Sequence, residues 1–176
     1  MNNIYCIIGN SGSGKTTIAD ALQREYNLSV LKSYTTRPKR KETDNDHIYI
    51  DEEEYFALQH KVATRKAEDG YYCATKEQVN NNDIYVIDFG GFFELKQKYD
   101  GYKSVKAIYI DVSPATSIER MRLRGDKAGS IINRIKRDTK DNSLKNIKTV
   151  DKVISGNEIL AYVNVYDYIS KCEQEV

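Results

Sequence analysis

The chain has 176 residues, 40% of them apolar and 30% charged, which is enough for one hydrophobic core and one domain with small mobile parts. Its 27 basic and 26 acidic side chains leave a net charge of +1, so no global electrostatic pull toward nucleic acid or an anionic membrane exists, and any anion must be recognised by local Lys and Arg clusters. Three widely spaced cysteines (Cys6, Cys73, Cys172) offer neither a disulfide framework nor metal-ligand spacing. No apolar run approaches the length of a membrane span and no signal-peptide pattern precedes the first strand, so a cytoplasmic setting is expected.

In chain order, Ile4-Tyr5-Cys6-Ile7-Ile8 reads as a buried strand and Thr17 to Leu22 as a helix. Between them, Gly9-Asn10-Ser11-Gly12-Ser13-Gly14-Lys15-Thr16 fits G-x-x-x-x-G-K-[ST], the phosphate-cradling loop. Its glycines let successive backbone N–H groups turn inward with no Cβ in the way. Lys15 brings a mobile charge toward the β- and γ-phosphates, the Thr16 hydroxyl suits Mg²⁺, and the following helix aims its positive end at the same anions. A Gly/Ser-rich turn can match such a pattern by accident, but the order strand, loop, helix is the one the motif requires. Gly9 to Thr16 and Thr17 are therefore the expected nucleotide-binding residues.

Leu28-Ser29-Val30-Leu31 is a second short strand, and it runs into Ser33-Tyr34-Thr35-Thr36-Arg37-Pro38-Lys39-Arg40-Lys41, where Pro38 blocks regular structure and four of five consecutive residues are basic. After a polar loop from Glu42 to Asp46 comes a short strand at Ile48-Tyr49-Ile50. Asp51 and Glu54 stand at capping-box spacing for a helix running to about His60. Val62 to Ala74 reads as a hairpin turning at Asp69-Gly70, and Thr75 caps another short helix. Ile84-Tyr85-Val86-Ile87-Asp88 is a core strand ending in a carboxylate, followed by a helix from Phe92 to Tyr99 and a strand from Val105 to Asp111. Ser113-Pro114 opens a helix carrying Arg120, Arg122 and Arg124 before Gly125 breaks it. A second basic helix, Ser130 to Lys140, holds Arg134 and Arg137. Asp151 to Ile154 is the last strand and Leu160 to Lys171 the closing helix. Strands alternating with helices imply an α/β fold with a parallel sheet covered on both faces. The stretch 34–82 is too long for one crossover helix and reads as an insertion into a core of 1–33 and 83–176. Residues 125–133 form a polar break between two Arg-bearing helices, as a lid over phosphates should.

Taken together, these features resemble the guanylate kinases, within the P-loop nucleoside monophosphate kinases. The family marks are Ser33-x-Thr35-Thr36-Arg37-x-x-Arg40, then Asp46-His47-x-Tyr49-Ile50 with Glu53-Glu54-Tyr55, Tyr71-Tyr72-x-x-Thr75, the strand ending at Asp88, and the series Arg120, Arg124-Gly125, Arg134. The resemblance implies a three-layer P-loop fold with an inserted acceptor-binding subdomain and a helical lid. It also implies that Arg37, Arg40 and Tyr72 grip the acceptor's phosphate, that Ser33 reaches the base, and that Arg120, Arg124 and Arg134 close with Lys15 on the transferring group. Asp88 would stand near the reacting phosphates and, through water, the metal held by Thr16. Ser155-Gly156-Asn157 lies about where the family touches the donor base. Arg122, Lys136 and Lys140 read as a solvated face.

Departures leave the acceptor open. Alignment through Tyr71-Tyr72 puts Ala63 or Thr64 where the family reads guanine with a carboxylate, and neither accepts two N–H donors. Glu68 falls at the hairpin turn, Cys73 and Ala74 replace a glycine and a serine, and Gly90 replaces a second acidic residue. Counting forward from Arg37 puts Tyr49 at the family's phosphate-gripping tyrosine, whereas the gapless count back from Glu53-Glu54-Tyr55 favours His47. The expected activity is transfer of the γ-phosphoryl group of Mg·ATP to GMP or dGMP by a monomer or homodimer acting on small nucleotides. The alternatives are another nucleotide or sugar phosphate as acceptor, or a non-catalytic protein-binding module of the same fold.

Overall fold

The computed structural model describes residues 1–39, 42–157 and 160–175, so Arg40 lies outside the described residues. Strand β1 (Asn3–Gly9) is the middle of a five-stranded parallel sheet, between β7 (Ile84–Val86) and β8 (Ser104–Asp111), with β2 (Val30–Leu31) and β9 (Lys152–Ser155) at the edges. Its side chains alternate: Ile4, Cys6 and Ile8 enter one core, Tyr5 and Ile7 the other, and all five are fully buried. A strand apolar on both faces is stable only with helices on both sides. Helices α1 (Lys15–Tyr26) and α8 (Ala161–Gln174) cover the Tyr5 face through Ile18, Leu22, Val165 and Ile169. Helices α3 (Lys76–Asn81) and α4 (Phe89–Lys98) cover the other through Val79, Phe92 and Leu95. The expected three-layer α/β architecture is the observed one.

A second, four-stranded sheet lies in the chain between β2 and β7. It comprises β3 (Tyr34–Thr35), β4 (Ile48–Tyr49), β5 (Lys61–Ala67) and β6 (Gly70–Thr75), in the order β4-β3-β6-β5. Helix α2 (Glu52–Ala57) has the expected capping box from Asp51 and Glu54 but stops short of His60, which takes a left-handed backbone at φ 51°. The hairpin turns at 68–69, one residue earlier than its sequence suggested, because Gly70 already pairs with Ala67. Helix α4 starts at Phe89 rather than Phe92: Asp88 caps it by accepting from the Gly91 amide at 2.8 Å, so Gly90 and Gly91 fall inside the first turn. Helices α5 (Pro114–Leu123) and α6 (Ala128–Asp141) leave a break of only 124–127, with Gly125 at φ 86°. A short α7 (Leu144–Ile147), capped by Ser143, had no expectation behind it. Among the described residues no helix is long and apolar enough to cross a membrane.

The two ends of the chain are tied at one carboxylate. Glu173, near the end of α8, accepts from the Tyr5 hydroxyl at 2.9 Å, the Asn3 side chain at 2.6 Å and the Asn2 amide at 2.9 Å. Burial alone pushes its carboxyl up, but the bonds from Asn3, Asn2 and Tyr5 outweigh that and hold it below the ordinary value. Glu173→Ala leaves the fully buried Tyr5 without this acceptor, a loss of about 1–3 kcal/mol at pH 7. The stabilisation exists above the ordinary glutamate pKa and disappears as pH falls and the group protonates. The melting-temperature gap between variant and wild type, read by circular dichroism, should therefore close on acidification; a gap that stays constant refutes the assignment.

Candidate active site

The loop after β1 is built around Lys15. Its ammonium donates to the carbonyls of Gly9 at 2.9 Å and Asn10 at 2.8 Å, so the chain folds around its own cation. Removal from water pushes the Lys15 pKa down to about 8, an effect partly offset by Asp138 and reinforced by Arg137, Arg124 and Arg134. Gly12 and Gly14 sit at φ 77° and 92°, conformations that favour glycine, and a Cβ at Gly12 would come within 2.6 Å of the Ser117 carbonyl. Gly14 is the N-cap of α1 and brings no side chain to its first-turn amides, which are thereby left for an anion. A half-buried cation of lowered pKa beside an uncapped helix start is a site that fits a phosphate chain.

Arg120, from α5, donates to the carbonyls of Gly12 at 3.4 Å, Ser13 at 3.3 Å and Gly156 at 3.0 Å, so this expected lid arginine is pinned on the loop. Arg124 and Arg134, on either side of the break, both reach Asp126, at 2.5 and 3.9 Å. They lie close enough to depress the Lys15 pKa, so three separated segments converge on one loop. Arg122, Lys136 and Lys140 are exposed, as expected of a solvated face. Thr17 borders an open cavity shared with Gly14, Arg24, Arg120, Asn157 and Tyr162, which brings the Gly156-Asn157 stretch to the loop's flank.

Arg37 is 4% exposed. It donates to the Asp44 carboxylate at 3.1 Å, the Tyr49 hydroxyl at 2.9 Å and the Pro38 carbonyl at 2.8 Å, while its Nε has no hydrogen-bond partner. Burial works against its charge, but Asp44 holds it firmly protonated. Burial likewise pushes the Tyr49 hydroxyl up to about 12, keeping it a neutral donor. The gapless count favoured His47 for the position beside the arginine; the structure puts Tyr49 there, because β4 pairs in parallel with β3 and sets Tyr49 opposite Thr35. His47 turns instead to Ser33, with Nδ1 and Oγ 2.8 Å apart, and its ring meets Tyr72 edge-on at 5.5 Å. The Tyr72 hydroxyl donates to Asp69 at 3.0 Å, and Asp69 in turn lies 4.0 Å from Arg37.

Ser33, His47 and Tyr72 line a cavity of about 210 Å³ together with Arg65, Asp88 and Arg137. A neighbouring cavity, bordered by Thr16, Asp20 and Asp46, shares Ser33 and His47 as its wall. Asp88 and Thr16, expected to serve one metal with Asp88 acting through water, border different neighbouring cavities. Asp88 opens on the first cavity, caps α4 with one oxygen and pairs with Arg65 through the other. Among the described residues no group of three or more His, Cys, Asp or Glu could hold a metal ion, and the Thr16 hydroxyl is the ligand that the loop motif itself offers.

Three residues here were given no site role by the sequence. Arg65 lines the cavity on the same face of β5 as Ala63 and Ala67, and what stands opposite that face only the tertiary structure supplies. Arg137 was legible in principle, lying one turn beyond Arg134 on the same helix. Asp138 accepts from the Ser11 amide at 2.6 Å, beside a bond from the Asn142 side chain to that of Asn10 at 2.7 Å, and only the tertiary approach of α6 to the loop reveals it.

A family model described as AAA domain matches residues 6–145. The chain belongs to that family. Several of its curated relatives are guanylate kinases, so the resemblance read from the Thr-Thr-Arg block and the Tyr-Tyr pair holds. The guanylate kinase of Paraburkholderia xenovorans is 26% identical over 146 residues, 75% of this chain but only 63% of that protein's length. The ribose 1,5-bisphosphate phosphokinase of Enterobacter lignolyticus is 28% identical over 140 residues, 74% of each chain. Among solved structures, the guanylate kinase of Anaplasma phagocytophilum superposes with a TM-score of 0.63 at 18% identity, covering 98% of this chain and 86% of the other, which speaks for the fold.

Proposed function

We propose that this guanylate kinase-like chain is an ATP-dependent nucleoside monophosphate kinase, with GMP or dGMP as acceptor. The observation that carries the reading is the pair of cavities sharing Ser33 and His47 as a wall: Thr16 of the phosphate loop borders one, and Tyr72, Arg65 and Asp88 border the other. Two nucleotides end to end need such a cleft. Mg·ATP, when bound, supplies the phosphoryl group. Lys15 and the loop amides hold the donor phosphates, and Thr16 offers its hydroxyl to the metal. Arg37, Tyr49 and Tyr72 orient the acceptor phosphate, with the Asp44 carboxylate occupying the guanidinium until that phosphate arrives. Arg40 belongs to the same basic loop and to the same proposal. Arg120, Arg124 and Arg134 offset the negative charge that develops during transfer, which is the main demand phosphoryl transfer makes on a protein. No side-chain nucleophile is needed, because an acceptor phosphate oxygen attacks directly. In this reading residues 34–82 form the acceptor-binding subdomain and 125–133 the lid, whose closure excludes water and limits hydrolysis.

A second acceptor class is favoured by two observations: neither Ala63 nor Thr64 is a carboxylate, and a relative is named a ribose 1,5-bisphosphate phosphokinase. Coupled ADP release, measured across ribo- and deoxynucleoside monophosphates and a ribose bisphosphate, separates the two. The expected result is the highest kcat/KM with GMP or dGMP. Release only with the sugar phosphate moves the acceptor to the second class. No release with any acceptor above the Lys15→Ala background ends the kinase reading.

A further inference from the structure

We propose that Arg65, together with Asp88, reads the guanine base of the acceptor, in place of a carboxylate at Ala63 or Thr64. The inference rests on the kinase reading for what the bound nucleotide is used for, but not for whether the nucleotide binds. Ala63, Arg65 and Ala67, alternate residues of β5, face the cavity. Ala63 itself is 4% exposed and contributes only a small wall. Thr64 is turned away and donates to Glu94 on α4. Arg65 is thereby aimed across the cavity at Asp88, and the two form an ion pair in which both side chains keep about a third of their exposure, 33% and 35%. An ion pair left this accessible inside a cavity presents its remaining hydrogen-bonding positions to whatever enters.

Those positions have a definite order. A guanidinium fork offers two parallel N–H donors; a carboxylate beside it offers acceptors. The rim of guanine from N7 through O6 to N1 and the 2-amino group reads acceptor, acceptor, donor, donor. Arginine to O6 and N7 is the commonest specific contact to that base. Adenine presents an amino donor where guanine has O6, and would set donor against donor at Arg65. Asp88 is positioned for this by its second oxygen, which caps α4 and stops the carboxylate from rotating. The reading function has thus moved from one hairpin carboxylate to a pair contributed by two elements.

The test combines equilibrium binding of GMP, IMP and AMP, by calorimetry, with ADP release on the same proteins. IMP keeps O6 and N7 but lacks the 2-amino group. In Arg65→Ala, binding and kcat/KM for GMP and for IMP should both fall about 10- to 100-fold. AMP binding, the KM for ATP and the melting temperature should not change. Arg65→Lys, which keeps the charge and loses the fork, should fall between. An equal loss for AMP, or GMP binding as tight as in wild type, overturns the assignment. If wild type binds GMP in an Arg65-dependent way without turning it over, the base-reading role stands and the proposal of GMP as phosphoryl acceptor falls. If wild type binds no GMP, both fall.

Discussion

Lys15→Ala should abolish ATP-dependent phosphorylation, lowering kcat by about 10³-fold or more, the range found when a charge that meets the transferring group is deleted. The fold should survive, since the ammonium's hydrogen bonds go to the carbonyls of its own loop and its burial is already a cost. The same side chain sets a pH signature. With its pKa near 8 in the free protein, Lys15 is mostly charged at neutral pH and loses its proton as pH rises through 8. A bound triphosphate raises that pKa, so binding takes up a proton in alkaline solution. ATP affinity should be flat below pH 8 and weaken above it, by up to about tenfold per pH unit. Calorimetry in buffers of different ionisation enthalpy detects the proton directly. Turnover that survives the substitution, or an alkaline weakening equally strong in Lys15→Ala, would refute the role of Lys15.

Substitution of Arg37 should strike the acceptor side alone. Loss of a fork-shaped donor on phosphate should lower kcat/KM for the monophosphate about 10²- to 10³-fold, with KM rising and kcat falling together, while the KM for ATP stays put. The alanine variant carries a second burden. Asp44 is 9% exposed and pairs with Arg37, and removing one partner of a buried ion pair costs about 3–5 kcal/mol. Arg37→Lys is therefore the informative variant: it retains the charge opposite Asp44 but not the bidentate geometry. Acceptor kinetics unaffected by the lysine, or a change confined to ATP, would show that this loop does not hold the acceptor.

The central layer was legible because its physics is local. Five consecutive buried residues before a glycine loop can only be a strand covered on both faces, and capping signals at Asp51, Thr75 and Ser113-Pro114 mark helix starts that the structure keeps. What escaped depends on neighbours distant in sequence. Strand β3 has two residues and exists because the hairpin strand β6 and strand β4 pair with it on either side. Asp88 looked like the end of a strand but is a helix cap, a distinction that turns on one bond to Gly91. The choice between His47 and Tyr49 was decided by strand register, and the partner of Arg65 by the tertiary approach of Asp88. Neither leaves a mark on composition.

Helix α6 is hitched to the phosphate loop through Asp138 at Ser11 and Asn142 at Asn10, and it also carries Arg134 toward Asp126 and Arg137 to the cavity lined by Ser33, His47 and Tyr72. One rigid rod thus touches both halves of the cleft. With donor and acceptor bound as proposed, whatever factor donor occupancy contributes to acceptor affinity must be returned, unchanged in size, from acceptor to donor. Reciprocal titrations of this chain would express that bargain as one number, and α6 is the lever on which it turns.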